Sequence, residues 1–144
     1  MFSTIVVALN ELPESQRAFQ TAVDLARSCN AELATVSILG DLPAYFSYSV
    51  VVDPGAPAAV MEQRRHRHEE LHKEAANLAR ERGMHAQGSI GGGRDVHAIL
   101  HFLKEQNADL HVVGLHQHDF YLSRLWSSAY DLAQDTTCSV LGAH

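Results

Sequence analysis

The sequence Thr4-Ile5-Val6-Val7-Ala8-Leu9 is a short β-branched and aliphatic run without polar alternation. This pattern is typical of a strand that is covered on both faces, as in a parallel sheet. Pro13 then favours the start of a helix, and apolar residues recur at helical spacing until Asn30. A buried strand followed directly by an amphipathic helix indicates the first unit of an α/β fold.

The same alternation continues along the chain. Strands are predicted at residues 32–39, 84–90, 110–113 and 139–141, and helices at residues 58–82, 96–105 and 126–135. Residues 40–57 are predicted to form a long loop, and the three glycines at 91–93 a flexible turn. Strands that alternate with helices imply a parallel sheet with helices on both faces. We therefore predict a doubly wound five-stranded α/β fold, for which Rossmann-like and flavodoxin-like windings both fit.

Ligands of such sheets bind beyond the carboxyl ends of the strands, where the winding direction reverses. The candidate loops are those at residues 10–13, from residue 39 onward, at 91–95 and at 114–125. Gly114 opens the last of these, directly after the fourth predicted strand. This loop is the predicted mouth of a ligand crevice.

Composition narrows the class of protein. With 144 residues, 46% apolar and 19% charged, the chain has the usual size of one domain, and we predict a single domain over residues 1–144. No stretch approaches the roughly 20 apolar residues of a membrane span, and the first residues do not resemble a secretory signal. We therefore expect a cytoplasmic protein without a membrane partner. The net charge of −6 argues against nucleic acid as a partner.

Known catalytic motifs are missing from the sequence. It contains no P-loop and no G-x-S-x-G elbow, and Cys29 and Cys138 do not form a CxxC pair. We predict no catalytic residue. His68 and His72 share a helix face at i,i+4, with His66 nearby, but a zinc site needs about four ligands, so no metal is predicted. The charged middle of this helix is interpreted as an exposed face.

Two segments carry a resemblance to a known family. The run Asn107-Ala108-Asp109-Leu110-His111-Val112-Val113-Gly114 is similar to the "ADLIVMG" strand of universal stress proteins, and Thr137-Cys138-Ser139-Val140-Leu141 is similar to their "CPVLVV" ending. The first strand and its loop also match, with Asn10 where the family usually has Asp. The resemblance covers nearly the whole chain and implies the Rossmann-like, adenine nucleotide alpha hydrolase-like fold.

The family's ATP-binding branch has the signature G-x2-G-x9-G-(S/T), whose glycines let the backbone wrap phosphates. Here Gly114 and Ser128 keep their positions, whereas Gln117 and Ser127 replace two glycines. Each replacement adds a Cβ where the loop approaches phosphate and opposes a positive φ angle. The resemblance thus implies a non-enzymatic stress-response protein with weak or absent ATP binding, and no certain cofactor.

An alternative stays open, in which the protein is an ATP- or AMP-dependent switch, with or without slow ATP hydrolysis. The resemblance implies a nucleotide or anion site lined by Ala8, Asn10, Ile38, Val113, Gly114, Gln117, Ser127, Ser128 and Ala129. Hydroxyls and amides at the start of the last helix would suit a phosphate or another small anion, with Arg124, His116 and His118 nearby. The resemblance also implies a homodimer formed through the last strand, although residues 142–144 suggest a short edge.

Overall fold

The computed structural model describes residues 1–40, 52–93, 95–115 and 128–144. Within them the chain alternates between strands and helices. The strands are β1 (Thr4–Ala8), β2 (Glu32–Leu39), β3 (Ala86–Gly92), β4 (Leu110–Gly114) and β5 (Ser139–Ala143). The helices are α1 (Pro13–Cys29), α2 (Ala56–Glu81), α3 (Asp95–Glu105) and α4 (Ser128–Asp135).

The five strands form one parallel sheet in the order β3-β2-β1-β4-β5. This order confirms the predicted doubly wound α/β fold and selects the Rossmann-like winding from the two that the sequence left open. The central strand β1 is deeply buried, and Ile5, Val6 and Val7 have no exposed surface. Its uninterrupted apolar run is therefore explained by helices on both sides.

Each face of the sheet has its own apolar cluster. On one face, α1 and α2 pack on a cluster that contains Ile5, Val7, Phe19 and Val112. On the other, Leu103 of α3 packs on Val6, Ala34 and Val36. Helix α4 contacts α3 and β5. None of the described helices is long and apolar enough to cross a membrane.

Local signals account for the ends of α1. Pro13 occupies the first turn, where its missing N–H costs no hydrogen bond. Asn30 ends the helix with a left-handed backbone, φ 53° and ψ 44°, and its N–H reaches the carbonyls of Ala26 and Arg27. Asparagine tolerates this conformation better than most residues with a side chain.

Several predicted bounds were wrong. Gly91 and Gly92 do not form a turn but belong to β3, and only Gly93, with φ 117°, has the left-handed backbone that favours glycine. Strand β5 extends to Ala143, because β4 pairs with it as far as Gly114 opposite Ala143. Helix α2 begins at Ala56, two residues earlier than predicted. The predicted loop at 41–51 lies outside the described residues.

Candidate functional site

The strand order places the reversal of winding between β1 and β4. From β1 the chain winds outward to β2 and β3, and it then returns to β4 on the other side of β1. Ligand crevices of doubly wound sheets lie at the carboxyl ends of the two strands that flank this reversal. These ends are Ala8 and Gly114. The fold therefore brings together two of the residues predicted for the crevice.

The loop after β1 takes its shape from Asn10 and Ser15. The N–H of Asn10 donates to Oγ of Ser15 at 3.0 Å, and this hydroxyl donates to the carbonyl of Ala8 at 3.3 Å. Oδ1 of Asn10 accepts from the N–H of Leu12 at 2.9 Å and forms an Asx turn. A carboxylate would accept the same bond. Asn10 therefore preserves the loop shape while removing the negative charge of the family's usual Asp.

Three predicted lining residues are apolar and half-buried. Ala8 and Ile38 pack against the cluster beneath α3. Val113 lies in β4 directly before Gly114 and is also half-buried. These side chains are suited to line an apolar wall near a strand end, which is the usual character of a small-molecule pocket.

Gly114 is explained by packing between β4 and the first turn of α1. A Cβ added at this position would lie 2.5 Å from the carbonyl oxygen of Glu14 and 2.8 Å from its Cβ. Its φ angle is not positive. The glycine is therefore required by the close approach of two elements, and its presence does not by itself indicate a phosphate-binding loop.

The remaining predicted site residues lie wholly or partly outside the described residues. Gln117 and Ser127 lie outside the described residues, as do His116, His118 and Arg124. Ser128 and Ala129 begin α4, but their side chains lie outside the described part of the chain. The arrangement of the signature loop therefore stays a prediction from sequence.

Helix α2 contributes contacts at the crevice rim that the sequence analysis missed. Arg67 pairs with Glu11, with Nη1 3.0 Å from Oε2, and Nη1 of Arg64 donates to the carbonyl of Gly40 at 3.1 Å. These bonds link α2 to the chain directly after β1 and directly after β2. The sequence signal for these contacts was the charged middle of the helix, which was interpreted as an exposed face.

The same helix places His72 on the sheet. Its ring lies 2.8 Å from the hydroxyls of both Thr35 and Ser37, which are almost completely buried. Burial, followed by the nearby His68, lowers the pKa of His72 to about 4. The interpretation of this helix segment as an exposed face was thus wrong for His72. Among the described residues, no group of three or more His, Cys, Asp or Glu side chains is arranged to hold a metal ion.

A cavity of about 120 Å³ lies between α1 and α2 beside Asn10. Its lining consists of Leu9, Asn10, Ser15, Gln16, Phe19, Gln20, Leu71, Glu74, Ala75 and Leu78. It is smaller than the roughly 300 Å³ at which ligand pockets usually begin. Asn10 is the only predicted site residue in this lining, so the cavity is distinct from the crevice at the β1–β4 reversal.

Comparison with known proteins agrees with this fold. The sequence model of the universal stress protein family matches residues 1–143. The chain belongs to the universal stress protein family. This confirms the resemblance seen in the strands and in the C-terminal ending. A curated relative, universal stress protein C of Salmonella typhimurium, is 27% identical over 145 residues, which cover 97% of this chain and 94% of that protein.

Solved universal stress proteins share the fold. The UspA protein from Lactobacillus plantarum superposes with a TM-score of 0.80 at 17% identity, covering 99% of this chain and 97% of the other. An Arabidopsis thaliana family member with AMP bound superposes with a TM-score of 0.65 at 19% identity, covering 98% of this chain and 90% of the other. At these identities the likeness concerns the fold, and the AMP belongs to the Arabidopsis protein.

Proposed function

We propose that this universal stress protein is a non-enzymatic stress-response regulator that binds ATP weakly or not at all. The observation that carries the proposal is the replacement of two signature glycines by Gln117 and Ser127. A non-glycine residue held at positive φ costs about 1–3 kcal/mol, and each added Cβ takes space beside the phosphates. A loss of a few kcal/mol weakens a micromolar affinity by about 100-fold or more.

The packing of Gly114 supports the same proposal. Its close approach to Glu14 requires a glycine whether or not a nucleotide binds. Gly114, the one signature glycine that remains, is therefore explained by packing and is not evidence of nucleotide binding. The protein would then act through protein contacts or through a small ligand other than ATP.

Titration calorimetry with ATP and AMP tests the proposal. We expect no low-micromolar binding to the natural chain. The double variant Gln117→Gly/Ser127→Gly should gain at least about tenfold in affinity, because it removes both Cβ atoms and restores backbone freedom. The matched double variant with alanine at both positions keeps the Cβ atoms and should gain nothing. Low-micromolar ATP binding by the natural chain would contradict the proposal.

A second candidate function is a nucleotide-dependent switch, with or without slow ATP hydrolysis. The Asx turn at Asn10 favours it, because the β1 loop keeps its shape without the Asp, and a relative with the same fold holds AMP. This function predicts nucleotide that remains bound during purification. For the form with slow hydrolysis, it also predicts phosphate release from ATP that is lost in Ser128→Ala; release unaffected by that change would indicate a contaminating enzyme.

A small anion is a further possible ligand of the same loop, since hydroxyls and backbone amides at the start of α4 suit a phosphate. Melting temperatures measured with ATP, AMP and inorganic phosphate separate these ligands. A ligand at about 100 times its Kd adds about 2.7 kcal/mol of stability.

We further propose that residues 1–144 form one domain, that the protein works in the cytoplasm, and that it forms a homodimer through β5.

A further inference from the structure

Helix α2 rests on the sheet through small residues and one histidine. In this 26-residue helix the buried side chains are Ala75 and Ala79. His72 lies one turn before Ala75, and its ring covers Gly88 of β3. A Cβ on Gly88 would be 2.7 Å from Nδ1 of His72 and 3.2 Å from Cγ. The missing side chain of Gly88 therefore leaves the space that the His72 ring occupies.

The hydrogen bonds around His72 fix its protonation. Oγ of Ser37 lies 2.8 Å from the carbonyl oxygen of Leu9, and since a carbonyl only accepts, Ser37 must donate there. The Ser37 oxygen then accepts from Nε2 of His72 at 2.8 Å, so Nε2 carries the proton. Nδ1 is left as an acceptor for the hydroxyl of Thr35 at 2.8 Å. A neutral ring with its proton on Nε2 is compatible with all three of these hydrogen bonds.

The chain of hydrogen bonds ends on the peptide group that opens the Asn10 loop. The carbonyl of Leu9 and the N–H of Asn10 belong to the same peptide group. Ser37 holds its oxygen, and Ser15 of α1 holds its N–H at 3.0 Å. The plane of this peptide, and with it the direction in which Asn10 leaves β1, is thus set from both sides.

We propose that His72 is a positioning residue: as a neutral Nε2–H ring it links α2 to the Leu9–Asn10 peptide and thereby sets the β1 rim of the crevice. The inference goes beyond the proposed function. It concerns the shape of the rim, and it holds whether or not a nucleotide binds there.

Protonation of the ring opposes this arrangement. An imidazolium has a second N–H, directed at Thr35, whose hydroxyl must then accept instead of donate. The groups that face the ring are hydroxyls of β2, Gly88 of β3 and, one turn away on α2, His68. Glu11, Arg64 and Arg67 act electrostatically on His68, whose pKa is itself lowered, chiefly by burial. No carboxylate among the described residues acts on the His72 ring to stabilise its charge.

Nuclear magnetic resonance on the natural chain tests the first part of the proposal. The ring nitrogen shifts of His72 should show a protonated Nε2 and a bare Nδ1 near neutral pH. The Asn10 N–H and the Leu9 carbonyl should change shift together with the ring as acid protonates it. A ring that is charged near neutral pH, or one protonated on Nδ1, would overturn the proposal without any variant being made.

Two variants test the link to the rim. His72→Ala should speed hydrogen exchange at the Asn10 N–H by about tenfold relative to core amides of β1, because Ser37 loses the donor that orients its hydroxyl toward the Leu9 carbonyl. His72→Gln keeps a donor and an acceptor but does not titrate, so it should restore much of the protection and remove its acid dependence. The matched control His66→Gln lies on the same helix with an exposed side chain and should change neither.

A third variant covers the case in which His72→Ala does not fold. Gly88→Ala keeps the histidine but displaces its ring, whereas Gly91→Ala in the same strand meets only an ordinary 3.5 Å contact with Ile38. We expect faster exchange at Asn10 in the first and not in the second. If His72→Ala and Gly88→Ala change Asn10 only as much as they change the core, His72 has a purely structural role and the proposal is wrong.

Discussion

Gly114 lies where β4 passes closest to α1, and its missing side chain makes that approach possible. We expect Gly114→Ala to destabilise the fold by about 1–3 kcal/mol, because the new Cβ meets backbone atoms of Glu14 that cannot move aside cheaply. Urea unfolding measures the change. Gly92→Ala is the matched control, since its Cβ would lie 4.0 Å from the nearest atom, the carbonyl oxygen of Leu39. Equal stability losses in the two variants would contradict the packing explanation.

His111 is a second residue whose burial has a measurable consequence. It has no exposed surface, and Nδ1 donates to the carbonyl of Val6 at 3.1 Å. Nε2 has no hydrogen-bond partner among the described residues. Burial lowers the pKa of this ring to about 4, against an opposing effect of the bond to Val6. The folded protein therefore holds His111 neutral.

The sign of the pH effect follows from this lowered pKa. Below about pH 6.5 the unfolded chain binds a proton that folded His111 does not, so its contribution to stability is complete above that pH and is lost as the pH falls toward 4. Between about pH 7 and 5, this one group removes about 2 kcal/mol from the free energy of unfolding. The pKa of His72 is also lowered to about 4, so this residue adds a loss of the same sign.

Urea unfolding at both pH values measures this loss. His111→Leu should reduce the acid-induced loss by about 2 kcal/mol, since the variant has no proton to bind. The exposed His101 is the control, and His101→Gln should leave the loss as it is in the natural chain. A natural chain that is equally stable at about pH 7 and about pH 5 would contradict a neutral His111.

At the scale of elements, Asp109 joins the start of β1 to the start of β4. Its carboxylate accepts from the N–H of Ser3 at 2.7 Å, from the Ser3 hydroxyl at 2.8 Å and from the N–H of Thr4 at 3.0 Å. Burial raises the pKa of Asp109, but these hydrogen bonds outweigh that effect and lower it. Asp109 of the family-like segment thus has a structural role at the N-terminal ends of β1 and β4, opposite the ends at which the crevice lies.

Replacing Asp109 should weaken this junction. We expect Asp109→Ala to cost about 1–2 kcal/mol at neutral pH, and Asp109→Asn less, because the amide keeps one oxygen. Because the pKa is lowered in the folded state, the contribution is present above pH 3.8 and is lost as the pH falls below it. Thermal unfolding measures both variants. Asp135→Asn, at an exposed helix end, should stay within about 0.5 kcal/mol of the natural chain; a similar loss there would point to a general charge effect.

Helix α2 shows how far an element's pattern predicts its packing. Among its apolar residues, Ala75 and Ala79 are buried, but Leu78 is 48% exposed. His72, in the charged middle of the helix, faces the sheet instead. Helical spacing alone does not identify the buried face of this helix. His72 bonds to hydroxyls of β2, but in the sequence it stands among charged residues, which are typical of an exposed face.

At the scale of the whole molecule, the sheet ends at β3 on one side and at β5 on the other. Strand β5 exposes Leu141, and an unpaired strand edge tends to pair with another chain. If the homodimer proposed above forms through β5, sedimentation should give twice the chain mass of 15.8 kDa.

Leu141→Lys tests that interface. A charge at this edge should weaken dimerisation by about tenfold or more, because burying a lysine in the contact is costly. Leu78→Lys places the same charge on another exposed leucine, in α2, and should leave the assembly unchanged. A natural chain that sediments as a monomer, or a Leu141→Lys variant that dimerises normally, would exclude the β5 interface.

The sequence by itself determined the succession of strands and helices and the parallel sheet, because apolar period, Pro13 and Asn30 are local signals. The similarity of residues 107–114 and 137–141 to family segments indicated the family. It also located Asn10 and Gly114 at strand ends. The strand order, the assignment of Gly91 and Gly92 to β3, and the extent of β5 were decided only by tertiary structure, since pairing depends on partners far along the chain. The roles of Gly114 and His72 were likewise decided there. Glu14 and Ser37 meet those residues only after α1 and α2 have packed on the sheet.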